Sequence, residues 1–308
     1  MRGIGTKLTK PALPNLKRLP YGGAEAVVSA HTRKTTQGMV SAASEYLYND
    51  KIQNQFLERY RAWIGESYRN SFKNLDKFPV SASCNGTSEA FDKFYLDNCT
   101  RRFRCFRGEY MYHMASWRNY FDWAFIEDGE LTAQDAVVIS LPFSDTGNKH
   151  PDMQRVLNEA EQLGIPVLVD CAFFGICANI DFDFDHPAIT VITFSLSKSY
   201  PVSHLRIGMR LTRVDDDDSL LVMNKTNYTN RLSAAVGLQI LNHVSPDWNT
   251  QYWGAAQKEL CDKLGVVPSN TVIFGIDSTD KYKAYNRGGV SNRLSLSKYL
   301  ANKDLPSD

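Results

Sequence analysis

At 308 residues, with 43% hydrophobic and 22% charged positions, the chain has an ordinary globular composition and enough length to bury a large core. Its formal net charge is +1 and no basic stripe stands out, which removes the electrostatic argument for a nucleic-acid partner. No stretch is apolar enough to span a membrane, and residues 1–17 are basic without the apolar segment of a secretory signal.

Residues 1–30 are rich in Pro and Gly (Pro11, Pro14, Pro20, Gly22, Gly23) and read as an irregular arm. Over residues 50–64, Ile52, Phe56, Tyr60 and Trp63 recur at helical spacing. Residues 78–84 alternate as a strand that ends at Asn85-Gly86-Thr87, and residues 88–96 then read as a helix. Residues 102–106 suit a second strand, and Ala136-Val137-Val138-Ile139-Ser140-Leu141 is a buried one. Residues 152–163 place Met153, Val156, Leu157, Ala160 and Leu163 on one helical face, and Gly164 supplies the stop. Further strands are expected at 165–170, 190–195 and 206–211. The acidic run 215–218 reads as a solvated turn, and 229–242 as a long helix.

Strands alternating with helices predict an α/β domain with a mainly parallel, mixed sheet flanked by helices. Ligands of such a sheet bind beyond the carboxyl ends of its strands. Gly86, Ser144, Asp170 and Lys198 each follow a strand-like run, so position alone draws them together. The six cysteines form no Cys-x-x-Cys pair and read as reduced thiols of a cytoplasmic enzyme. The six histidines show no metal-ligand spacing, so no metal site is expected.

Lys198 sits in Thr193-Phe194-Ser195-Leu196-Ser197-Lys198-Ser199-Tyr200, with Arg206-Ile207-Gly208 shortly beyond. An amine among small hydroxyls suits a Schiff base with an aldehyde cofactor, whose phosphate the hydroxyls and a guanidinium would hold. Asp170, ending a buried strand, can pair with a protonated ring nitrogen, although read alone it would as readily cap the next turn. Gly86, Thr87 and Ser88 open a helix, where free N–H groups favour an anion, although a plain N-cap would look the same.

These segments resemble the fold-type I pyridoxal-phosphate (PLP) enzymes, the aspartate aminotransferase superfamily. The resemblance implies a PLP-transferase-like large domain over residues 46–242 and a reduced C-terminal α+β small domain over 243–308. Residues 1–45 would supply an N-terminal arm that contributes to the small domain. It implies that Lys198 carries the cofactor and that Asp170 holds the ring nitrogen. Gly86, Thr87, Ser88, Ser195, Ser197 and Arg206 would form the phosphate cup, and Tyr110 would stack on the ring. Tyr48, or Tyr46 beside it, resembles the tyrosine that crosses a homodimer to the partner's phosphate. Arg293, in Asn292-Arg293-Leu294-Ser295-Leu296, would grip the substrate carboxylate, with Arg287 as rival.

Two positions depart from the pattern. Ser144 and Phe173 stand where that family usually carries an Asn and a Tyr that bond the cofactor's phenolic oxygen. Losing both donors is expected to leave the lysine imine protonated to higher pH. The function so implied is a PLP-dependent aminotransferase acting on an amino acid or related amine. The alternatives are a PLP-dependent lyase, decarboxylase, cyclase or oxidase, and a non-catalytic protein that keeps the fold for binding.

Overall fold

The computed structural model describes residues 19–302. The reading of residues 1–17 lies outside them, as do Pro11 and Pro14. The helices are α1 (Ala30–Ala43), α2 (Ile52–Gly65), α3 (Thr87–Asp97), α4 (Met111–Tyr120), α5 (Met153–Leu163), α6 (Ser219–Lys225), α7 (Arg231–His243), α8 (Trp248–Leu264) and α9 (Ser297–Leu300). The strands of the main sheet are β2 (Val80–Asn85), β3 (Arg102–Cys105), β4 (Trp123–Phe125), β5 (Asp135–Ser140), β6 (Val167–Asp170), β8 (Ile189–Ser195) and β9 (Ile207–Thr212). β1 (Ser71–Lys73) and β7 (Asp181–Asp183) pair separately, and β10 (Val267–Pro268), β11 (Phe274–Asp277) and β12 (Asn292–Ser295) form a third sheet.

The main sheet runs β2-β9-β8-β6-β5-β3-β4. β8, β6, β5, β3 and β4 run parallel to one another, while β9 runs antiparallel to both β2 and β8. All six residues of β5 are buried, as a parallel strand covered on both faces requires. Its alternation divides them between two cores. Val137 and Ile139 pack with Phe56, Leu157, Val236 and Ile240 from α2, α5 and α7. Ala136 and Val138 pack with Phe91, Tyr95, Met114 and Trp117 from α3 and α4. The expected stop at Gly164 is present: the residue adopts φ +65°, and its N–H closes the last turn of α5 on the Ala160 carbonyl.

A further apolar cluster joins Trp253 and Cys261 of α8 to Phe274, Leu294, Leu296 and Leu300, with Val27 from the arm. Tyr21 stacks on Tyr299, ring centres 4.5 Å apart. Met39 and Ala43 of α1 instead join the first core.

Among the helices that the sequence pattern left unread are α1 and α4. The inward face of α1 carries Thr32 and Thr36 besides Met39 and Ala43, and buried threonines do not read as a hydrophobic stripe. Ser29 caps it with a reciprocal bond to Thr32. α4 places aromatic residues all round, and Tyr110 stands at its N-cap. No helix among the described residues is long and apolar enough to cross a membrane.

Candidate active site

The strand ends converge on a cleft of about 330 Å³. β6 delivers Asp170 and β5 delivers Ser140, each at its last residue. Lys198 lies on the turn after β8, and Ser195 closes that strand. β9 alone runs the other way, so its beginning reaches this edge and brings Arg206 with it. Arg206 adopts the left-handed conformation at φ 55°, ψ 57°, a strained geometry for a non-glycine residue.

The Lys198 amine donates to the Ala24 carbonyl at 2.6 Å. Burial, then the charges of Arg293 and Arg206, lowers its pKa to about 8, against the opposing pull of Glu25. Asp170 Oδ1 accepts from the Thr193 hydroxyl and from the Ala172 N–H, each at 3.1 Å. Burial, then the nearby Glu109 carboxylate, raises Asp170 to about 7. Glu109 is fully buried, accepts from the Ser140 N–H (2.8 Å), the Ser140 hydroxyl and the Tyr110 N–H (2.7 Å), and is itself raised by burial.

At the β2–β9–β8 end, hydroxyls and a guanidinium gather. Ser197 N–H donates to Ser195 Oγ (3.1 Å), and Ser195 donates to Ser197 Oγ (2.9 Å). Arg206 donates to the Ser203 carbonyl (3.1 Å) and to Ser88 Oγ (3.0 Å). No side chain caps α3, whose N-cap is Gly86 at φ +70°. A Cβ there would overlap the Arg206 guanidinium, so glycine permits the close approach. The uncapped helix end and the arginine fork together suit a phosphate.

At the β5 end stand two buried arginines. Arg293 donates to the Ser144 carbonyl and lies 4.3 Å over the Phe274 ring. Burial, then Arg287, lowers its pKa well below the usual range. Arg287 donates to the Glu109 carbonyl and to Ser144 Oγ, both at 3.4 Å, and faces Asp145 Oδ1 at 3.8 Å.

Of the residues expected from the sequence, Thr87, Tyr110, Ser144, Asp170, Phe173, Ser195, Ser197, Lys198, Arg206 and Arg293 line the cleft. Gly86 and Ser88 stand behind Arg206 rather than on the wall. Tyr48 is 91% exposed and outside the cleft, and Tyr46 ends a one-turn helix, Ser44–Tyr46, also outside it. Arg287 lines the cleft together with Arg293. Sequence reasoning missed Gly22–Glu25 of the arm, Ser140, Ser203 and the buried Glu109. Ser203, between Lys198 and Arg206, was the most readable of these. The arm carried only its paired glycines as a signal. Away from the cleft, Asp97, Asp216 and Asp218 approach one another, with Asp218 paired to Arg210.

No protein-family model and no curated protein matches the sequence. Solved structures do. A PLP-bound C-S lyase from Staphylococcus hominis superposes with a TM-score of 0.67 at 10% identity, over 93% of this chain and 86% of that one. Tyrosine aminotransferase from Leishmania infantum gives 0.67 at 12%, over 92% of each chain. L-threonine-O-3-phosphate decarboxylase from Porphyromonas gingivalis gives 0.60 at 13%, over 89% of this chain and 93% of that one. The chain thus has the α/β architecture shared by these enzymes, the fold of the fold-type I PLP-dependent enzymes.

Proposed function

We propose that the protein is a PLP-dependent enzyme of amino-acid metabolism, and that its reaction is transamination. The reading is carried by one observation: Lys198, Asp170 and Arg206, delivered by three neighbouring strands, line a single cleft. Their chemistry fits the cofactor. Asp170 Oδ2 has no hydrogen-bond partner among the described residues and is free to face a ring nitrogen. The cup of Thr87, Ser195, Ser197 and Arg206 fits the phosphate, and Tyr110 at the N-cap of α4 fits a stacked ring.

When bound, PLP supplies a carbonyl for condensation with amines and a ring that withdraws electrons from the substrate α-carbon. The protein does the rest. Asp170 keeps a proton on the ring nitrogen by its negative charge. Lys198, its pKa lowered to about 8, reaches a neutral form near physiological pH and can take and return the α-proton as general base and acid. Arg293 would grip and orient the substrate carboxylate, and that orientation would select the bond to be broken. Gly22–Glu25 wall the cleft beside the amine and help exclude water. In this reading the protein is a cytoplasmic homodimer, and the exposed Tyr48 reaches the partner's phosphate.

A second reading, a lyase or decarboxylase, is favoured by the similar structures, which include a C-S lyase and a decarboxylase on the same fold. The test serves both. PLP-loaded protein is reduced with borohydride and its peptides are mapped, then fresh protein is given amino acids without a keto acid. Attachment at Lys198 and a half-reaction that stalls support transamination. Turnover without an acceptor supports elimination or decarboxylation. An unmodified Lys198 ends the PLP reading, as would attachment that persists in Lys198→Ala.

A further inference from the structure

We propose that Arg287 is the cationic donor for the 3-oxygen of the cofactor ring, in place of the Asn and Tyr donors whose positions Ser144 and Phe173 occupy; this rests on the PLP reading above. The pyridine ring is planar, so its four substituent directions are fixed relative to one another. The aldehyde carbon lies between the carbon bearing the phosphate arm and the carbon bearing the 3-oxygen. With the nitrogen toward Asp170, the aldehyde toward Lys198 and the phosphate toward Arg206, the 3-oxygen must point to the opposite wall from Arg206.

The strand order says which wall that is. Thr87 after β2, Arg206 before β9 and Ser195 at the end of β8 all lie on one side of Asp170. Ser140 at the end of β5, with Ser144 beyond it, lies on the other. On that second wall Phe173 has no polar atom and Ser144 no charge. Arg287 has both, and it lines the cleft at 8% exposure.

Its present bonds leave it capacity. The two contacts of Nη2, to Ser144 Oγ and the Glu109 carbonyl, are at 3.4 Å, the long limit of a hydrogen bond. Nε is buried with no hydrogen-bond partner among the described residues, and so is Asp145 Oδ1, which faces it at 3.8 Å. The charged and titratable groups facing Arg287 are Asp145, Glu109, Tyr110 and Arg293. The Glu109 carboxylate is turned to Ser140 and the Tyr110 N–H. Arg293 holds the Ser144 carbonyl while Arg287 holds its hydroxyl, so the two arginines bracket one residue. Arg293 is then left for the substrate carboxylate.

A guanidinium at the 3-oxygen favours the deprotonated oxygen, which then holds the proton it shares with the lysine imine less tightly. The effect opposes the rise expected from Ser144 and Phe173 alone.

The experiment compares wild type, Arg287→Gln and Arg287→Lys for their affinity for PLP and for its analogue lacking the 3-hydroxyl, and follows the pH midpoint of the bound cofactor's visible absorbance. Wild type should prefer PLP by about ten-fold or more, the scale of a charge-assisted hydrogen bond. Arg287→Gln should bring that preference to within about threefold and raise the midpoint by about one unit. Arg287→Lys should recover part of both. An unchanged preference and midpoint in Arg287→Gln overturns the proposal, because a structural role would weaken both ligands alike and a substrate-binding role would leave both readouts still. Should Arg287→Gln not fold, Asp145→Asn must lower the midpoint by removing the opposing charge; no change there overturns it equally. Wild-type protein that binds neither ligand overturns the PLP reading itself, a separate outcome.

Discussion

Asp170 shows how one buried group serves two states of the molecule. The residue is 5% exposed and its pKa is raised to about 7, first by burial and then by Glu109. The unfolded chain would ionise the same group near the usual carboxylate value of about 4. Between those values the folded protein binds the extra proton, so this residue's contribution falls as pH rises from about 4 to about 7. Asp170→Asn should therefore stabilise cofactor-free protein near pH 8, by an amount on the order of a few kcal/mol, and change it little near pH 4. Urea unfolding at the two pH values checks this, and Asp145, raised to about 6, adds a smaller slope of the same sign that remains in the variant. In the proposed reading the same substitution should weaken PLP binding, because the ring nitrogen would lose its counter-charge. A destabilised variant near pH 8 would mean that Asp170 is held by bonds worth more than its desolvation costs.

The meeting of β2, α3 and β9 decides the end of the cleft proposed to hold the phosphate. β9 is the reversed strand, and only because it is reversed does Arg206 start where the others finish. Gly86 allows α3 to begin directly against that arginine. Gly86→Ala would add a Cβ at φ +70° and push into the guanidinium. It should cost about 1–3 kcal/mol of stability and weaken PLP affinity about ten-fold or more, while affinity for pyridoxal without its phosphate changes little. Fluorescence titration of the two ligands separates those effects. The element pattern of this region was readable, since the glycine, the hydroxyls and the alternating strands follow local rules. The direction of β9 was not, because strand pairing is a long-range choice.

Across the whole molecule, the cleft lies where the sheet's strand ends meet the arm and the chain beyond α8, with Arg287 and Arg293 supplied from the C-terminal side and Gly22–Glu25 from the N-terminal side. If the proposed homodimer shares its sites through Tyr48, an equimolar, re-equilibrated mixture of Tyr48→Ala and Lys198→Ala should regain about one quarter of the wild-type sites, because about half of its dimers are hybrids and each hybrid holds one complete site of its two. Activity after mixing, with mass by sedimentation, checks this; no recovery in a confirmed hybrid removes Tyr48 from the partner's cup. The alternation of strands and helices, and the placing of Asp170, Lys198 and Arg206 near strand ends, were legible in the chain, since periodicity, turn residues and local spacing are short-range properties; Arg293 was suggested only by the family resemblance, with Arg287 as its rival. Tertiary structure alone decided that Arg287 joins Arg293 at the cleft, that the arm closes one wall, and that Glu109 lies buried beside Asp170. Those placements bring together residues far apart along the chain, and the burial and charge that set their chemistry exist only once the chain has packed around them.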